Sequence, residues 1–138
     1  MLVRPHGHSE LAPLLVGEGE RSGHVKEAET LKAVPMTSRE LSDLLMLGMG
    51  AYTPLRGFMG EESWKKCCSD FVTDSGLFWP IPITLSVSDD QASSISIGET
   101  ITLTDESGTI YGKLKVEEKY KIDRNLECKE IYRTLDPK

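Results

Sequence analysis

The chain has 138 residues, of which 38% are hydrophobic and 28% charged, a composition typical of one globular domain. Its net charge of −6 argues against a nucleic-acid binder and against a main site for anionic substrates, because both need a basic surface. No apolar run approaches the ~20 residues that span a bilayer. Three cysteines, two of them adjacent, favour a reducing cytoplasm over a disulfide framework.

The first part of the chain predicts little regular structure. Residues 1–24 contain several glycines and prolines, which indicate an irregular segment. Residues 25–34 predict a short helix or loop, and 34–36 a short edge strand. His6 and His8 invite a metal interpretation, but no cysteine or carboxylate pair stands nearby at ligand spacing. A structural role for the two histidines is therefore favoured over metal binding.

Two amphipathic helices are predicted on either side of a glycine-rich stretch. Thr37 and Glu40 match the capping-box pattern Thr-x-x-Glu that begins many helices. Apolar residues then recur at helical spacing, which predicts a core-facing side made of Leu41, Leu44, Leu45 and Gly48. The second helix has a similar stripe, consisting of Trp64, Cys67, Cys68 and Phe71. A reactive Cys68 is the alternative, but a packed cysteine is favoured because only Lys65 could lower its pKa.

The second half of the chain predicts strands and turns. Alternating apolar and polar residues indicate a half-buried strand over 81–88, and Ile101 with Leu103 indicates a second strand. A third strand is expected to begin at Thr109. Short segments that contain glycine predict turns at residues 74–76 and 105–108. Residues 89–96 predict a polar connection. Asp123 is expected to cap a last helix.

The third strand carries a lysine-rich face. If it continues to Lys121, then Lys113 and Lys115 are part of a basic stripe on an otherwise acidic chain. A solvated face is the favoured interpretation. A docking edge for a partner domain or an anionic ligand remains the alternative.

The order of elements defines the fold class. Two helices followed by a run of strands with hairpin turns is typical of the α+β class. No βαβ alternation supports a parallel nucleotide-binding sheet, and the phosphate-binding pattern Gly-x-x-x-x-Gly-Lys-Ser/Thr is absent from the sequence. We expect one domain over residues 1–138.

The stretch 47–60 is apolar for a connector, although it is rich in glycine and proline. Gly48 is predicted to form a left-handed helix cap, and Gly57 and Gly60 to adopt conformations that a Cβ would penalise. Four large side chains are expected to pack this loop against the flanking helices: Tyr52, Leu55, Phe58 and Met59. The alternative makes the loop a ligand contact with Arg56 as its anion-binding residue, because arginine suits sulfate and phosphate.

Within this stretch, residues 50–59 read Gly-Ala-Tyr-Thr-Pro-Leu-Arg-Gly-Phe-Met. They resemble the signature Gly-Ala-Tyr/Phe-Ser-Pro-Leu-x-Gly-Phe-Met of the ATP sulfurylases (sulfate adenylyltransferases), with threonine in place of serine. Four further segments resemble that family in the same order. They are Arg-Pro-His-Gly at 4–7, Trp-Pro-Ile-Pro-Ile-Thr-Leu at 79–85, a Gly-Glu hairpin at 98–105 and Tyr-Arg-Thr-Leu-Asp-Pro-Lys at 132–138.

The resemblance covers nearly the whole chain but only the N-terminal part of a family member. It implies a PUA-like fold, a small distorted β-barrel with helices packed at its side. Closure of that barrel is expected to use strands that follow this segment in the family. The family joins sulfate to the α-phosphate of ATP with Mg²⁺, giving adenosine 5′-phosphosulfate and pyrophosphate.

The family's catalytic motifs lie in its next domain, as Gln-x-Arg-Asn-Pro-x-His and His-x-x-His. Neither motif occurs in this sequence. We therefore expect no catalytic, cofactor-binding or metal residue in this span, and ATP and Mg²⁺ only in the parent enzyme. The implied role is structural, and the implied partners are the C-terminal catalytic domain and further copies in a homo-oligomer. Neither nucleic acid nor membrane is expected as a partner.

Two alternatives come from other functional classes. A free-standing PUA-like interaction or RNA-binding module would use the lysine face, since fold alone does not decide function. An autonomous enzyme would need to use Asp74, Asp105 and the histidines. Their spacing matches no catalytic arrangement, so this second alternative is the least favoured.

Overall fold

The structure is a computed structural model that describes residues 3–136. It contains two compact units. Unit 1 comprises the residues up to Gly57 together with Leu85–Glu117, and unit 2 comprises Phe58–Thr84 together with the residues from Glu118 onward. Each unit is therefore assembled from two separate parts of the chain.

The helices of the described chain are α1 (Glu18–Ala28), α2 (Ser38–Gly48), α3 (Glu61–Asp70), α4 (Asp89–Ser94) and α5 (Arg124–Glu127), and a π-helical turn (Cys128–Tyr132) follows α5 directly. The strands are β1 (Ala33–Pro35), β2 (Thr100–Thr104) and β3 (Ile110–Lys115). This combination confirms the predicted α+β class.

All three strands belong to one mixed sheet in unit 1. Strand β2 lies in the centre, with β1 parallel to it on one side and β3 antiparallel on the other. Strand β2 has neighbours on both edges, and its residues from Ile101 to Thr104 are all buried. The turn that joins β2 to β3 is organised by Asp105, whose carboxylate accepts hydrogen bonds from the backbone N–H of Ser107 and Thr109. The predicted hairpin is confirmed.

Glu40 connects three parts of unit 1. One of its carboxylate oxygens accepts hydrogen bonds from the backbone N–H and the hydroxyl of Thr37, at 2.9 and 2.8 Å. Together with the bond from the Glu40 N–H to the Thr37 hydroxyl, these contacts form the predicted capping box. The other oxygen accepts a hydrogen bond from the Ser86 N–H at 2.7 Å. Glu40 is only 2% exposed, so the capping residue of α2 also holds a distant segment of the chain.

The orientation of α2 differs from the prediction. The residues it buries are Glu40, Asp43 and Leu47, whereas Leu45 is exposed. The prediction placed the leucines and Gly48 on the side of α2 that faces the interior. In the structure the capping carboxylate must also face inward to reach Ser86, so the helix turns its last leucine toward the core.

Three predicted boundaries are wrong. Residues 81–88 are not a strand, because Pro82, Ile83 and Thr84 are buried in succession without alternation. Helix α1 begins at Glu18, inside the segment predicted to be irregular. The predicted polar connection at 89–96 contains α4, which begins with a capping box between Ser88 and Gln91. The capping box at Ser88 explains α4, whereas α1 forms without a side-chain cap despite its glycines.

Unit 2 is organised around α3. Its buried side consists of Trp64, Cys67 and Cys68, as predicted. Phe71, the last residue of the predicted stripe, instead follows the helix in a left-handed conformation and is half-buried. Asp123 caps α5 by accepting hydrogen bonds from two backbone N–H groups, which confirms the predicted cap.

None of the helices in residues 3–136 combines the length and the apolar character that a membrane crossing requires.

We expect Glu40→Ala to lower the free energy of unfolding by about 2–4 kcal/mol. The substitution removes the carboxylate half of the α2 capping box and leaves the Ser86 N–H without its acceptor. Urea unfolding measures the change. The exposed Glu106 provides a matched control, because Glu106→Ala should shift stability by less than about 0.5 kcal/mol. Equal effects of the two substitutions would contradict the assigned role of Glu40.

Candidate functional site

The glycine-rich loop after α2 is fixed to the N-terminal segment of unit 1. The hydroxyl of Thr53 accepts a hydrogen bond from the Ala12 N–H at 2.9 Å and donates one to the Gly50 carbonyl at 2.6 Å. Gly50 has a φ of +80°, and a Cβ there would lie 3.0 Å from the Pro13 nitrogen. Both its conformation and its surroundings therefore require glycine. The prediction placed this left-handed residue at Gly48, which in the structure is still helical.

Tyr52 is a structural residue of the same loop. Its hydroxyl donates a hydrogen bond to the buried carboxylate of Asp43 at 3.1 Å. Burial raises the pKa of the Tyr52 phenol above its ordinary value, and the Asp43 carboxylate raises that pKa further. The Thr53–Pro54 peptide bond that follows is cis. The first half of the loop is thus held by hydrogen bonds, as a packed connector is.

The end of the stretch belongs to unit 2. Met59 is buried, its N–H donates to the Ile83 carbonyl at 2.7 Å, and its carbonyl accepts a hydrogen bond from the Tyr120 hydroxyl at 2.6 Å. Phe58 is half-buried. The predicted packing role is thus confirmed more strongly for Met59 than for Phe58.

Glycine is required at position 60 for a different physical reason from the one predicted. Its φ of −75° is accessible to any residue. However, a Cβ on Gly60 would lie 1.7 Å from a carboxylate oxygen of Glu118. That oxygen accepts a hydrogen bond from the Glu61 N–H at 2.9 Å, at the beginning of α3. Gly60 therefore leaves room for a carboxylate that caps a helix, whereas Gly57 has no positive φ and open space around it.

Arg56 is the one cation of the glycine-rich loop. Its side chain is exposed and forms neither a hydrogen bond nor an ion pair with the residues that the structure describes. An anion-binding role for Arg56 stays a prediction.

The predicted lysine face is not a free basic stripe. Strand β3 ends at Lys115, so Lys121 lies outside it. Lys113 forms an ion pair of 2.6 Å with Glu27 of α1, and its ammonium group lies 2.8 Å from Nδ1 of His24. The hydrogen bond and charge of Lys113 hold the pKa of Glu27 below its ordinary value. The partners are 86 and 89 residues apart in the chain, so no local pattern could have predicted this cluster.

The interior of unit 2 contains the indole and the two thiols of the buried side of α3. The indole N–H of Trp64 donates to the carboxylate of Glu127 at 2.7 Å, and the Cys67 thiol donates to the Trp79 carbonyl at 3.0 Å. Burial raises the pKa of Cys67 to about 12 and that of Cys68 to about 11. Both thiols therefore stay protonated at neutral pH, which confirms the prediction of packed cysteines.

A metal centre is not formed by residues 3–136, where no three His, Cys, Asp or Glu side chains come together as ligands. Nδ1 of His8 lies 2.8 Å from the Glu10 carbonyl. Asp74 and Asp105 belong to different units, and each takes part in a local turn.

The sequence comparisons identify the family. The profile of the PUA-like domain matches residues 3–138. The chain belongs to the PUA-like domain family. The α+β fold of the described residues agrees with that assignment, and their sheet has three strands in the order β1–β2–β3, without the closure of a barrel.

Similar proteins share the name sulfate adenylyltransferase. The sulfate adenylyltransferase of Chlorobaculum tepidum is 49% identical over 138 residues, which are 99% of this PUA-like chain and 34% of that protein. The sulfate adenylyltransferase of Syntrophobacter fumaroxidans is 50% identical over 137 residues, covering 98% and 33% respectively. This chain thus spans about a third of the length of the curated relatives it matches, and it corresponds to their N-terminal third.

A solved structure is also similar. The hexameric APS kinase from Thiobacillus denitrificans matches with a TM-score of 0.76 and 31% sequence identity. The match covers 88% of this chain and 24% of that one. This chain thus matches parts of longer chains that carry two different names.

We expect Gly50→Ala to cost at least about 1–3 kcal/mol of stability, because alanine is strained at a φ of +80° and its Cβ would meet Pro13. Thermal or urea unfolding provides the measurement. Gly57→Ala is the matched control in the same loop, and it should change stability by less than about 0.5 kcal/mol because its Cβ meets nothing within 4 Å. A neutral Gly50→Ala would show that the loop is not held as described.

We expect iodoacetamide at neutral pH to modify Cys128 well before Cys67 or Cys68. The latter two are buried with pKa values of about 12 and 11, whereas Cys128 is half-buried. Mass spectrometry of the native chain over time measures the three sites, and labelling in urea gives the unprotected rates. Because unfolding returns both raised pKa values to the ordinary range, stability should fall as pH rises above about 9. Equal labelling of the three native thiols would contradict the burial of α3.

Proposed function

We propose that this chain is the N-terminal PUA-like domain of a sulfate adenylyltransferase and that it has a structural, oligomer-supporting role there. The observation that carries the proposal is the identity of 43–50% to proteins of that name, over 98–99% of the chain. The parent would transfer the adenylyl group of ATP to sulfate, with Mg²⁺ as the metal. ATP, Mg²⁺ and the reacting groups would be held by the catalytic domain, which is the proposed partner of this span.

The chemistry of the described residues supports a structural role. A site for ATP and sulfate needs unpaired positive charge or exposed helix N-termini. Here Lys113 is neutralised by Glu27, and the N-terminus of α3 is capped by Glu118. The net charge of −6 acts in the same direction. We therefore propose no catalytic, cofactor-binding or metal-ligating residue in this span, and Arg56 of the glycine-rich loop remains its candidate anion contact.

The remaining partners follow from the same observations. We place the parent in the cytoplasm, supported by three free cysteines among the described residues. We propose no role in binding nucleic acid, because the one lysine face that favoured RNA is interrupted by the Lys113–Glu27 ion pair. The hexameric relative supports a homo-oligomeric parent.

A chimera tests the proposal. This chain replaces the matching N-terminal third of the Chlorobaculum tepidum sulfate adenylyltransferase, and pyrophosphate release from ATP and sulfate is measured. We expect the chimera to turn over, the isolated chain to show no more turnover than a heat-killed sample, and the relative's remaining two-thirds alone to be unstable or inactive.

The controls separate the parts of the proposal. The Gly50→Ala chimera should lose activity in parallel with its stability, while the Gly57→Ala chimera should not. A folded chimera that is as inactive as the truncated relative would contradict the assignment of this domain. Turnover by the isolated chain would contradict the absence of catalytic residues in this span.

A further inference from the structure

Helix α1 of unit 1 has little apolar contact that could hold it against the sheet. Only Ala28 among its 11 residues is buried, and the Ala28 carbonyl accepts a hydrogen bond from the Thr102 hydroxyl at 2.6 Å. The helix contains two glycines, and no side chain caps its first turn. A helix of this length and composition is marginal by itself in water. Its attachment to the sheet therefore depends strongly on polar contacts.

The polar contact between α1 and β3 is a cluster of three side chains, His24, Glu27 and Lys113, which we call the α1 clamp. Lys113 of β3 pairs with Glu27 at 2.6 Å, and its ammonium group lies 2.8 Å from Nδ1 of His24. Because an ammonium group only donates hydrogen bonds, Nδ1 of His24 must accept this one. The neutral imidazole therefore carries its proton on Nε2.

A second proton on His24 would change the partners within the α1 clamp. It would occupy Nδ1, remove the acceptor that Lys113 uses, and leave two positive groups 2.8 Å apart. The same Nδ1 lies 3.9 Å from the Glu27 carboxylate, in the i,i+3 arrangement of a helix pair. The imidazolium would thus compete with Lys113 for the one carboxylate that joins β3 to the helix.

The carboxylate of the clamp keeps its charge while the histidine titrates. The hydrogen bond from Lys113, and then the charge of Lys113, hold the pKa of Glu27 below its ordinary value. Glu27 therefore stays ionised between about pH 5 and 8, the range in which histidines change their charge. The attachment is complete at the upper end of this range and is lost as the pH falls.

The other charged groups around the clamp do not take over its contacts. Glu20 and Arg21 lie one turn before the histidine on α1. Tyr111 and Lys115 flank the lysine on the same side of β3. All four are exposed, and none forms a hydrogen bond or ion pair with the clamp within residues 3–136. The contact of α1 with β2 is made by Thr102, which does not titrate.

We propose that the α1 clamp is a pH-sensitive attachment of α1 to the sheet. With a neutral His24, Lys113 joins the helix to β3. With a protonated His24, the imidazolium pairs with Glu27 inside the helix, and β3 releases α1. The hydrogen bond between Ala28 and Thr102 has no titrating group, so the release affects the part of α1 that precedes it. This role of the clamp goes beyond the function proposed above and does not depend on it.

Amide hydrogen exchange of the 138-residue chain, followed by NMR at about pH 7.5 and about pH 5.5, tests the proposal. The protection factors are corrected for the intrinsic effect of pH, and the amides of β2 are the internal reference. We expect protection in α1 to fall about two- to fivefold at the lower pH, as for the loss of one partly exposed ion pair. A long-range ¹⁵N–¹H spectrum at the higher pH should show the Nε2–H tautomer of His24.

Three variants separate the members of the clamp from other titrating groups. His24→Asn keeps an acceptor near the position of Nδ1 but does not titrate, so it should retain the protection and abolish its pH dependence. Lys113→Met removes the cation and should give low α1 protection at both pH values. His8→Asn is the matched control, because it removes a histidine outside α1 and should leave the pH dependence unchanged.

Equal α1 protection at the two pH values in the wild type would overturn the proposal, as would a pH dependence that persists in His24→Asn. An Nδ1–H tautomer of neutral His24 would also overturn it, because that nitrogen could not accept from Lys113. Circular dichroism verifies the folding of each variant, and Glu27→Gln replaces Lys113→Met if the latter does not fold. The chimera assay measures turnover, so its result leaves the outcome of this test unchanged.

Discussion

The buried carboxylate of Glu40 places the strongest constraint on unit 1. A carboxylate that is 2% exposed is tolerated only when its oxygens are hydrogen-bonded, and here one oxygen serves the beginning of α2 while the other holds the Ser86 N–H. Because the carboxylate must reach both groups, it fixes which side of α2 faces inward. Leu47 enters the core as a result, and Leu45 and Met49 are left at the surface. The exposure of Leu45 and Met49 is thus a consequence of how α2 is capped.

The glycine-rich loop is held in place by its own hydrogen bonds and by glycines with defined roles. Its polar groups are used internally, with the Thr53 hydroxyl bonded on both sides and Tyr52 bonded to Asp43. Its glycines have distinct physical reasons: Gly50 supplies a left-handed backbone, and Gly60 leaves room for the Glu118 carboxylate. A loop held in this way is rigid, which suits a domain that positions other parts of a protein.

Two positive groups of this domain are paired internally, which distinguishes it from a site for the reaction named by its relatives. Transfer of an adenylyl group to sulfate requires positive charge where the anions meet. In this chain the half-buried lysine of β3 is paired with Glu27, and the first backbone N–H of α3 is occupied by Glu118. Its remaining distinctive surface is apolar, and apolar surfaces bind proteins more readily than anions. These features support the structural role proposed above.

The sequence by itself determined the features that depend on neighbours in the chain. It predicted the capping box of α2 and the turns, the buried side of α3, the β2–β3 hairpin and the α+β class, because each follows from residue types at fixed short spacing. The resemblance carried by residues 50–59 also predicted the family. Tertiary structure decided the rest. Only long-range contacts could reveal that Glu40 bonds Ser86, that Lys113 pairs with Glu27, and that Gly60 faces Glu118. Residues 81–88 lost their predicted strand for the same reason, since buried loops satisfy backbone groups through distant partners and leave no periodicity in the sequence.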